Sequence, residues 1–308
     1  MINVFIDGKA GTTGLGIYER LEKRDDIRII SLSEDLRKNT AARKEAINAA
    51  DVVFLCLPDD AAREAVTLID NPHTVVIDAS TAHRTEKGWA YGFPELSKEH
   101  RAAIKSAKRI ANPGCYASGF ISLVYPLIKD GIAGADYPFV CHAVSGYSGA
   151  GKKGIQQYED TERDKRLDAP RLYALSLSHK HLPEMTAQCG LASSPVFNPY
   201  ICDFYAGMTV SVPLHRRLLL KKLSKEAIFE HYSAYYAGCR FIRVTKETEE
   251  GFLSANTLAG TNDLEIFVGG NEEQILLTAR LDNLGKGASG AAVQNMNIAA
   301  GLDEGLGL

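Results

Sequence analysis

The chain has 308 residues, of which 45% are hydrophobic and 24% charged, and its formal net charge is −3. This composition excludes a disordered or fibrous protein, and the length favours two domains. Acidic and basic residues alternate along the chain, so no nucleic acid and no membrane is expected as partner, and a small molecule is favoured.

The first third alternates short apolar runs with helical patterns. Residues 2–6, 27–32, 52–57 and 74–78 are typical of buried strands, and residues 14–23 and 61–69 of helices. Strands buried on both faces and separated by helices predict a doubly wound, Rossmann-type parallel sheet.

The pattern changes after residue 114. A helix is expected at 116–129 and another at 225–237, among longer, alternating strands at 139–145, 207–214, 241–245, 264–269 and 274–282. These features predict an α+β domain with a mostly antiparallel sheet over 115–287. A small-residue helix starting at 288 has the size to pack on the first domain, which then comprises 1–114 and 288–308.

The cysteines indicate a reducing compartment. Six cysteines are widely spaced and form no C-x-x-C pair, which argues against disulfides and against a metal site. The chain opens at Met1 directly into a strand pattern, without a signal-peptide pattern or an apolar run of membrane-spanning length. A cytoplasmic location is therefore expected.

A glycine loop follows the first strand. It has the pattern G-x-x-G-x-x-G, and its predicted cofactor-binding residues are Gly8, Gly11, Thr12, Thr13 and Gly14. Glycines at the start of a helix let a pyrophosphate approach backbone N–H groups. A plain glycine turn is the alternative, but the position between strand and helix favours a dinucleotide site.

The second strand indicates which dinucleotide is bound. It ends in small hydroxyl residues instead of the acidic residue that usually binds the NAD ribose, and Ser33, Arg37 and Lys38 suit a 2′-phosphate. NADP is therefore the predicted cofactor. Leu57, Pro58 and Ser80 follow later strands and are predicted to line the nicotinamide side, with helix capping as the alternative.

Cys115 is the most specific candidate catalytic residue of the sequence. It follows Asn112-Pro113-Gly114 and stands where the next helix begins. A helix N-terminus favours a thiolate, the nucleophilic form of cysteine. An inert core cysteine is the alternative, but it does not explain this position.

Two histidines are the expected proton-transfer partners of that thiolate. His179 and His181 precede Pro183-Glu184, and imidazole titrates near neutral pH. One is expected to be the acid/base and the other to support it; the pattern favours His181 slightly, because the adjoining Pro-Glu can fix its position. No third ligand stands at a metal-site spacing, so no metal is expected.

Five blocks together resemble the N-acetyl-γ-glutamyl-phosphate reductase family of arginine biosynthesis. They are the glycine loop, Asn-Pro-Gly-Cys-Tyr at 112–116, and the blocks at 144–151, 179–184 and 282–290. Their compact spacing is similar to the shorter of two subgroups. The resemblance implies an inserted dimer-forming domain like that of glyceraldehyde-3-phosphate and aspartate-semialdehyde dehydrogenases, and Cys115 as nucleophile.

The expected reaction is reduction of an acyl phosphate to an aldehyde through a Cys115 thioester, with NADPH as reductant. The resemblance implies that Arg84 binds phosphate, although the block at 78–84 departs from the longer subgroup's Asp-Leu-Ser-Ala-Asp-Phe-Arg. Further predicted substrate-binding residues are Asn112, Ser145, Gly146 and Glu184. Asn283, Gly285 and Lys286 are predicted to contact the nicotinamide, and a glycine-rich loop at 145–153, with Lys152 and Lys153, to close over substrate.

The sequence is compatible with three alternative functions, and it leaves the oligomeric state open. An aspartate-semialdehyde dehydrogenase and a lysine-pathway acyl-phosphate reductase would share the chemistry, whereas a regulatory dinucleotide-binding protein would not need Cys115. A homodimer or a homotetramer is expected, and the sequence does not distinguish them.

Overall fold

A computed structural model describes all 308 residues. The chain forms two compact units: unit 1 comprises Met1–Gly114 and Ala288–Leu308, and unit 2 comprises Cys115–Gly287. None of the helices is both long and apolar enough to span a membrane.

Unit 1 contains a six-stranded sheet in which every pairing is parallel. Its strands are β1 (Ile2–Asp7), β2 (Ile27–Ile30), β3 (Val52–Leu55), β4 (Val75–Asp78), β5 (Ala90–Tyr91) and β6 (Arg109–Ala111). The spatial order is β2-β1-β3-β4-β6-β5. Because the order reverses at β1, the carboxyl ends of β1 and β3 flank a crevice, as in other doubly wound sheets. The predicted Rossmann-type sheet is confirmed.

Helices cover the sheet of unit 1. They are α1 (Thr12–Leu21), α2 (Thr40–Ala49), α3 (Asp59–Thr67), α4 (Lys98–Ser106) and, near the C-terminus, α9 (Gly290–Ala299). Val293 and Met296 of α9 are fully buried in one apolar cluster with strand residues such as Val4 and Ile77. The C-terminal helix therefore belongs to the core of unit 1. It is shorter than expected, since it ends at Ala299, two residues before Gly301, whose φ is +71°.

Unit 2 contains a seven-stranded mixed sheet. Its strands are β7 (Val140–Gly146), β8 (Arg171–Leu172), β9 (Val196–Cys202), β10 (Met208–His215), β11 (Ile242–Val244), β12 (Leu264–Gly270) and β13 (Gln274–Leu281). In the order β11-β12-β13-β10-β7-β9-β8, β11·β12 and β7·β9 are parallel and the other pairings antiparallel. The prediction of an α+β domain with a mostly antiparallel sheet is confirmed.

The central helix of unit 2 is α5 (Cys115–Lys129), which lies close to β10. A Cβ on its Gly119 would come 2.5 Å from Val210. Pro126 inside the helix cannot donate to the carbonyl of Ser122, and the Tyr236 hydroxyl donates to that carbonyl at 2.7 Å instead. The remaining helices are α6 (Gly151–Glu159), α7 (Leu182–Cys189) and α8 (Lys225–Tyr235).

The segment at 145–153, predicted as a glycine-rich loop, has regular secondary structure instead, and its closure over the substrate stays a prediction. Residues 145–146 end β7, a single 3₁₀ turn spans Tyr147–Ala150, and α6 begins at Gly151. A Cβ on Gly146 would come 2.5 Å from the Tyr205 carbonyl oxygen and 2.7 Å from that of Phe204. At Gly146, glycine permits close backbone packing.

Candidate active site

Unit 1 has a cavity of about 680 Å³ at the carboxyl ends of β1, β2 and β3. Residues predicted to bind the cofactor line it: Gly8, Gly11, Arg37, Lys38, Leu57 and Pro58. Thr12, Thr13 and Gly14 form the first turn of α1 beside it. Such a cavity, at the switch point of a parallel sheet and next to a helix N-terminus, suits a dinucleotide.

The glycine loop is fixed by backbone packing. Gly8 has φ +87°, and a Cβ there would clash with the Cys56 carbonyl. A Cβ on Gly14 would come 2.6 Å from the Gly8 carbonyl oxygen. The loop therefore turns sharply because its glycines allow β1, β3 and α1 to meet closely.

The charged residues that line this cavity are three cations, Lys9, Arg37 and Lys38, and two acids, Asp7 and Glu34. Arg37 forms an exposed ion pair with Glu34, 2.7 Å long. Lys38 and Ser31 also line the cavity, and Ser33 is an exposed neighbour that does not. Glu34, one of the two acids that line the cavity, is thus paired with Arg37.

Ser80 lies in a buried polar cluster after β4. Its hydroxyl donates to Asp78 Oδ2 at 2.7 Å and accepts from the Ala82 N–H at 3.1 Å. His83 Nδ1 lies 2.6 Å from the same Asp78 oxygen, and its ring stacks on Trp89. Internal hydrogen bonds hold Ser80, which favours a role in shaping this turn; its contact with the cofactor stays a prediction.

Arg84 and Asn112 join the ends of β4 and β6. The Arg84 guanidinium donates to the carbonyls of Asn112, at 2.9 Å, and Ala79, at 3.0 Å. The Asn112 side chain donates to the Ala288 carbonyl at 3.0 Å and accepts from Asn295 at 3.1 Å. Both side chains are buried, and their predicted binding of phosphate stays a prediction.

Cys115 is the first residue of α5 in unit 2, and it is partly exposed. The residue is therefore partly open to solvent at a helix N-terminus, where the dipole and N–H groups favour a thiolate. The backbone of Gly287 lies directly against it, since a Cβ on Gly287 would be 2.8 Å from Cys115 Cβ.

Both predicted histidines gather around Tyr116, the next residue. The ring centroids of His179 and His181 lie 5.8 Å and 5.9 Å from that of Tyr116. His181 is the residue before α7, and Glu184, 2% exposed, is the third residue of that helix. The fold thus brings Cys115, the two histidines and Glu184 into one part of unit 2.

His179 is held in one protonation state. Its Nδ1 accepts the backbone N–H of His181 at 3.1 Å, so its proton lies on Nε2, 3.4 Å from the Tyr173 hydroxyl. Burial, and next the charge of Lys180, lower the pKa of His179 to about 4. A neutral His179 is unsuited to donate a proton near pH 7.

This lowered pKa makes the stability of the protein pH-dependent. Between about pH 6.5 and pH 4 the unfolded chain binds a proton at His179 that the folded chain does not, so stability falls as pH falls. We expect wild type to lose about 1 to 2 kcal/mol more than His179→Asn between pH 7 and pH 5. Urea unfolding at both values measures this difference.

The exposed His73 provides the control. His73→Asn should keep the full pH dependence of wild type. An identical loss of stability in wild type and His179→Asn would show that His179 is protonated in the folded protein at pH 5.

The block after β13 is a dense turn within unit 2. Asp282 accepts N–H groups from Gly260, at 2.7 Å, and Leu284, at 2.9 Å. Asn283 accepts from the Gly207 N–H at 2.7 Å and donates to Ser148 Oγ at 2.9 Å. These bonds position the turn that carries Gly287; the nicotinamide role predicted for Asn283, Gly285 and Lys286 stays a prediction.

Lys286 and Gly285 belong to the same turn. Lys286 is 2% exposed, with Nζ 5.8 Å from the centre of the Phe241 ring. A Cβ on Gly285 would overlap the Thr261 carbonyl oxygen. Residues 285–289 form a π-helical turn, a conformation that recurs at functional sites.

The sequence did not indicate Tyr173 as part of this cluster. Burial, and to a lesser degree the nearby charge of Cys115, raise the pKa of Tyr173 to about 12. Tyr173 therefore lies near Cys115. No spacing rule connects it to Cys115, and only its position six residues before His179 could have drawn attention to it.

Family models match both units. The model described as semialdehyde dehydrogenase, NAD binding domain, matches residues 3–104, and the one described as semialdehyde dehydrogenase, dimerisation domain, matches residues 115–283. All six cysteines are free thiols, and no group of three or more His, Cys, Asp or Glu side chains could hold a metal ion.

Solved structures of aspartate-semialdehyde dehydrogenases share the fold. The enzyme from Francisella tularensis superposes with a TM-score of 0.73 at 15% identity, over 97% of this chain and 100% of its own. That from Vibrio cholerae, complexed with ASA, gives 0.69 at 15% identity over 97% and 98%. At this identity the likeness shows the fold alone.

Curated relatives are far more similar in sequence. An N-acetyl-gamma-glutamyl-phosphate reductase 2 from Nostoc sp. is 47% identical over 99% of this chain and 98% of its own. A protein of the same name from Pseudomonas putida is 48% identical over 97% and 96%. The resemblance predicted from the sequence blocks is confirmed, and the chain belongs to the N-acetyl-γ-glutamyl-phosphate reductase family.

Proposed function

We propose that the protein reduces N-acetyl-γ-glutamyl phosphate to N-acetylglutamate semialdehyde and phosphate with NADPH, in arginine biosynthesis. The observation that carries this proposal is the accessible Cys115 at the N-terminus of α5, in one cluster with two histidines. The nucleotide cavity in unit 1 and the names of the 45–48% identical relatives support it.

Cys115 is the nucleophile. Its thiolate attacks the acyl carbon, the carbon–oxygen bond to the phosphate breaks, and inorganic phosphate departs, leaving a thioester. NADPH, when bound, supplies the hydride that reduces this thioester to a hemithioacetal. Its collapse breaks the carbon–sulfur bond, releases the aldehyde and returns the thiolate. Backbone N–H groups at the start of α5 stabilise the oxyanion during these steps.

His181 is the proton carrier. The hemithioacetal oxygen takes a proton when hydride arrives and loses it on collapse, so the group that exchanges it must change protonation state near neutral pH. His179 is neutral and uses Nδ1 to hold the His181 backbone. His179 is therefore the supporting histidine. Ser145, Gly146 and Glu184 lie on the same unit and bind the polar part of the substrate.

An assay run towards the acyl phosphate tests this function. With N-acetylglutamate semialdehyde, inorganic phosphate and NADP, we expect phosphate-dependent reduction of the nicotinamide, measured by its absorbance. NAD should support it at least about 10-fold less well, since Lys38 and Ser31 suit a 2′-phosphate. Lys38→Ala should raise KM for NADP on the order of 10-fold and leave KM for NAD unchanged.

A control variant and a second substrate allow this assay to test the proposed function. Lys105→Ala, an exposed lysine on α4, is the control and should behave as wild type. Aspartate semialdehyde replaces the acetylated substrate in a parallel reaction, because the structural neighbours act on it by name. Faster turnover of aspartate semialdehyde would contradict the proposed substrate, and equal use of NAD would contradict the NADP preference.

The proposed location and assembly of the protein rest on its cysteines and on unit 2. We propose a cytoplasmic location, since six widely spaced cysteines without a disulfide suit a reducing compartment. Unit 2 matches a dimerisation domain, and its sheet presents an exposed Leu276 beside Thr278. The chain therefore assembles with copies of itself through unit 2, as a homodimer or homotetramer.

A further inference from the structure

Asp7 is the last residue of β1, and the proposed reaction assigns it no role. It is 4% exposed, and it lines the nucleotide cavity of unit 1 next to Gly8. An acid is unexpected at this place, because the dinucleotide that the cavity is proposed to bind is itself negatively charged. Packing alone does not explain a carboxylate there.

The charge of Asp7 is offset by Arg43 of α2. The Arg43 side chain donates to Asp7 Oδ2 through Nε, at 3.0 Å, and through Nη2, at 2.9 Å. Arg43 is 7% exposed, and its Nη1 lies 3.5 Å from Glu64. Burial raises the pKa of Asp7, and the bonds and charge of Arg43 oppose that rise. With this partner, Asp7 repels a phosphate less than an isolated carboxylate would.

One oxygen of the Asp7 carboxylate has no donor within the protein. Both bonds from Arg43 end on Oδ2, whereas arginine and carboxylate frequently pair through both oxygens. No side chain or backbone group donates to Oδ1. This oxygen is not sealed in the core, and because Asp7 lines the cavity, Oδ1 opens into it. Since buried polar groups are nearly always hydrogen-bonded, its donor comes from a molecule in the cavity.

The adenosine ribose of the cofactor offers a donor at this place. Gly8, next to Asp7, begins the loop predicted to bind the pyrophosphate, and Ser31 and Lys38 of the same cavity suit the 2′-phosphate. The ribose is the covalent link between these two phosphate groups. In NADP its 2′-hydroxyl is esterified, so the 3′-hydroxyl is the one donor that this ribose retains.

We propose that Asp7 Oδ1 accepts a hydrogen bond from the adenosine 3′-hydroxyl of NADP, with Arg43 holding the carboxylate in place. The proposal rests on the proposed function for the identity of the cofactor. An acid that binds this ribose usually stands at the end of the second strand, where this chain has Ser31-Leu32-Ser33. Here the end of β1 supplies the acid, and the end of β2 is left to the 2′-phosphate.

Cofactor analogues test this proposal by isothermal titration calorimetry, without any acyl phosphate. Wild type should bind NADP about 10-fold more tightly than an analogue that lacks the adenosine 3′-hydroxyl, because a hydrogen bond to a charged acceptor is lost. In Asp7→Asn this ratio of affinities should fall to about two- to threefold, since an uncharged amide makes a weaker bond. The ratio cancels the effect that the changed net charge has on both ligands alike.

Glu34→Gln is the matched control, because Glu34 is the other acid that lines the cavity and is likewise paired with an arginine. It should keep the ratio of wild type, whatever happens to the affinity itself. Asp7→Asn leaves Arg43 without a full counter-charge, so a second variant guards against poor folding. Asp7→Leu combined with Arg43→Met replaces the whole buried pair by apolar side chains, which proteins often tolerate, and its ratio should be about 1.

A second analogue distinguishes the ribose from the base. It carries purine in place of adenine and therefore lacks the amino group, the other hydrogen-bond donor of adenosine; its affinity relative to NADP should be the same in wild type and Asp7→Asn. An unchanged 3′-hydroxyl ratio in both Asp7 variants, or an Asp7-dependent ratio for the amino group instead, would overturn the proposal. If the 3′-hydroxyl ratio behaves as expected while the protein reduces no N-acetyl-γ-glutamyl phosphate, only the proposed function fails.

Discussion

Cys115→Ser is expected to lower kcat/KM on the order of 10³-fold or more, the largest effect of any substitution in this protein. A serine hydroxyl at the start of α5 fills almost the same space, but the helix N-terminus that favours a thiolate does not ionise an alcohol near neutral pH. No thioester forms, so no acyl group is held for reduction. Initial rates measure the loss, and NADPH fluorescence should show unchanged binding.

Cys239→Ser is the matched control, because Cys239 is also a partly exposed free thiol of unit 2. It should keep wild-type rates. Alkylation by iodoacetamide should inactivate wild type and this control alike, and label Cys115 first. Substantial activity in Cys115→Ser would refute covalent catalysis and leave direct hydride transfer to the acyl phosphate as the alternative.

Gly287→Ala should also inactivate the enzyme, although no chemistry involves residue 287. The added Cβ would lie 2.8 Å from Cys115 Cβ and 3.0 Å from the Asp282 carbonyl oxygen. Two backbone segments must then move apart, and a shift of about 1 Å at a reacting atom can cost on the order of 10²-fold in rate. We expect kcat to fall by that order and the rate of Cys115 alkylation to change with it.

Gly269→Ala separates this effect from the general cost of a methyl group. Its nearest neighbours, atoms of Leu276, lie at 3.8 Å and 4.0 Å from the added Cβ, so nothing has to move. This variant should keep wild-type activity. Wild-type activity in Gly287→Ala would mean that the turn at 285–289 can shift without moving Cys115.

The fold and the position of Cys115 at a helix start were predictable because their signals are local. A strand, a glycine loop and a helix within residues 2–21 predict the nucleotide crevice, and Cys115 follows Pro-Gly at the start of a helix. Apolar runs likewise predict the parallel sheet. In each case the residues that interact are neighbours in the sequence, so periodicity and turn chemistry reveal them.

Features built from distant residues were not predictable. The ring contacts of Tyr116 with His179 and Phe197 join residues that share no spacing. The backbone acceptors of Arg84 depend on two strand ends that meet only in the folded sheet. The loop expected at 145–153 failed for another reason: glycine suits both a mobile loop and close packing, and only the carbonyls opposite Gly146 decide which applies.

The contact between Cys115 and Gly287 joins the first and last residues of unit 2. In unit 1, the bond from Asn112 to the Ala288 carbonyl likewise brings the two pieces of that unit together where the chain leaves and returns. The two ends of each piece of chain therefore meet within its own unit. The entropy lost on closing such a loop grows only slowly with the length of chain between the ends. Such an arrangement lets an entire unit be inserted within the chain of another.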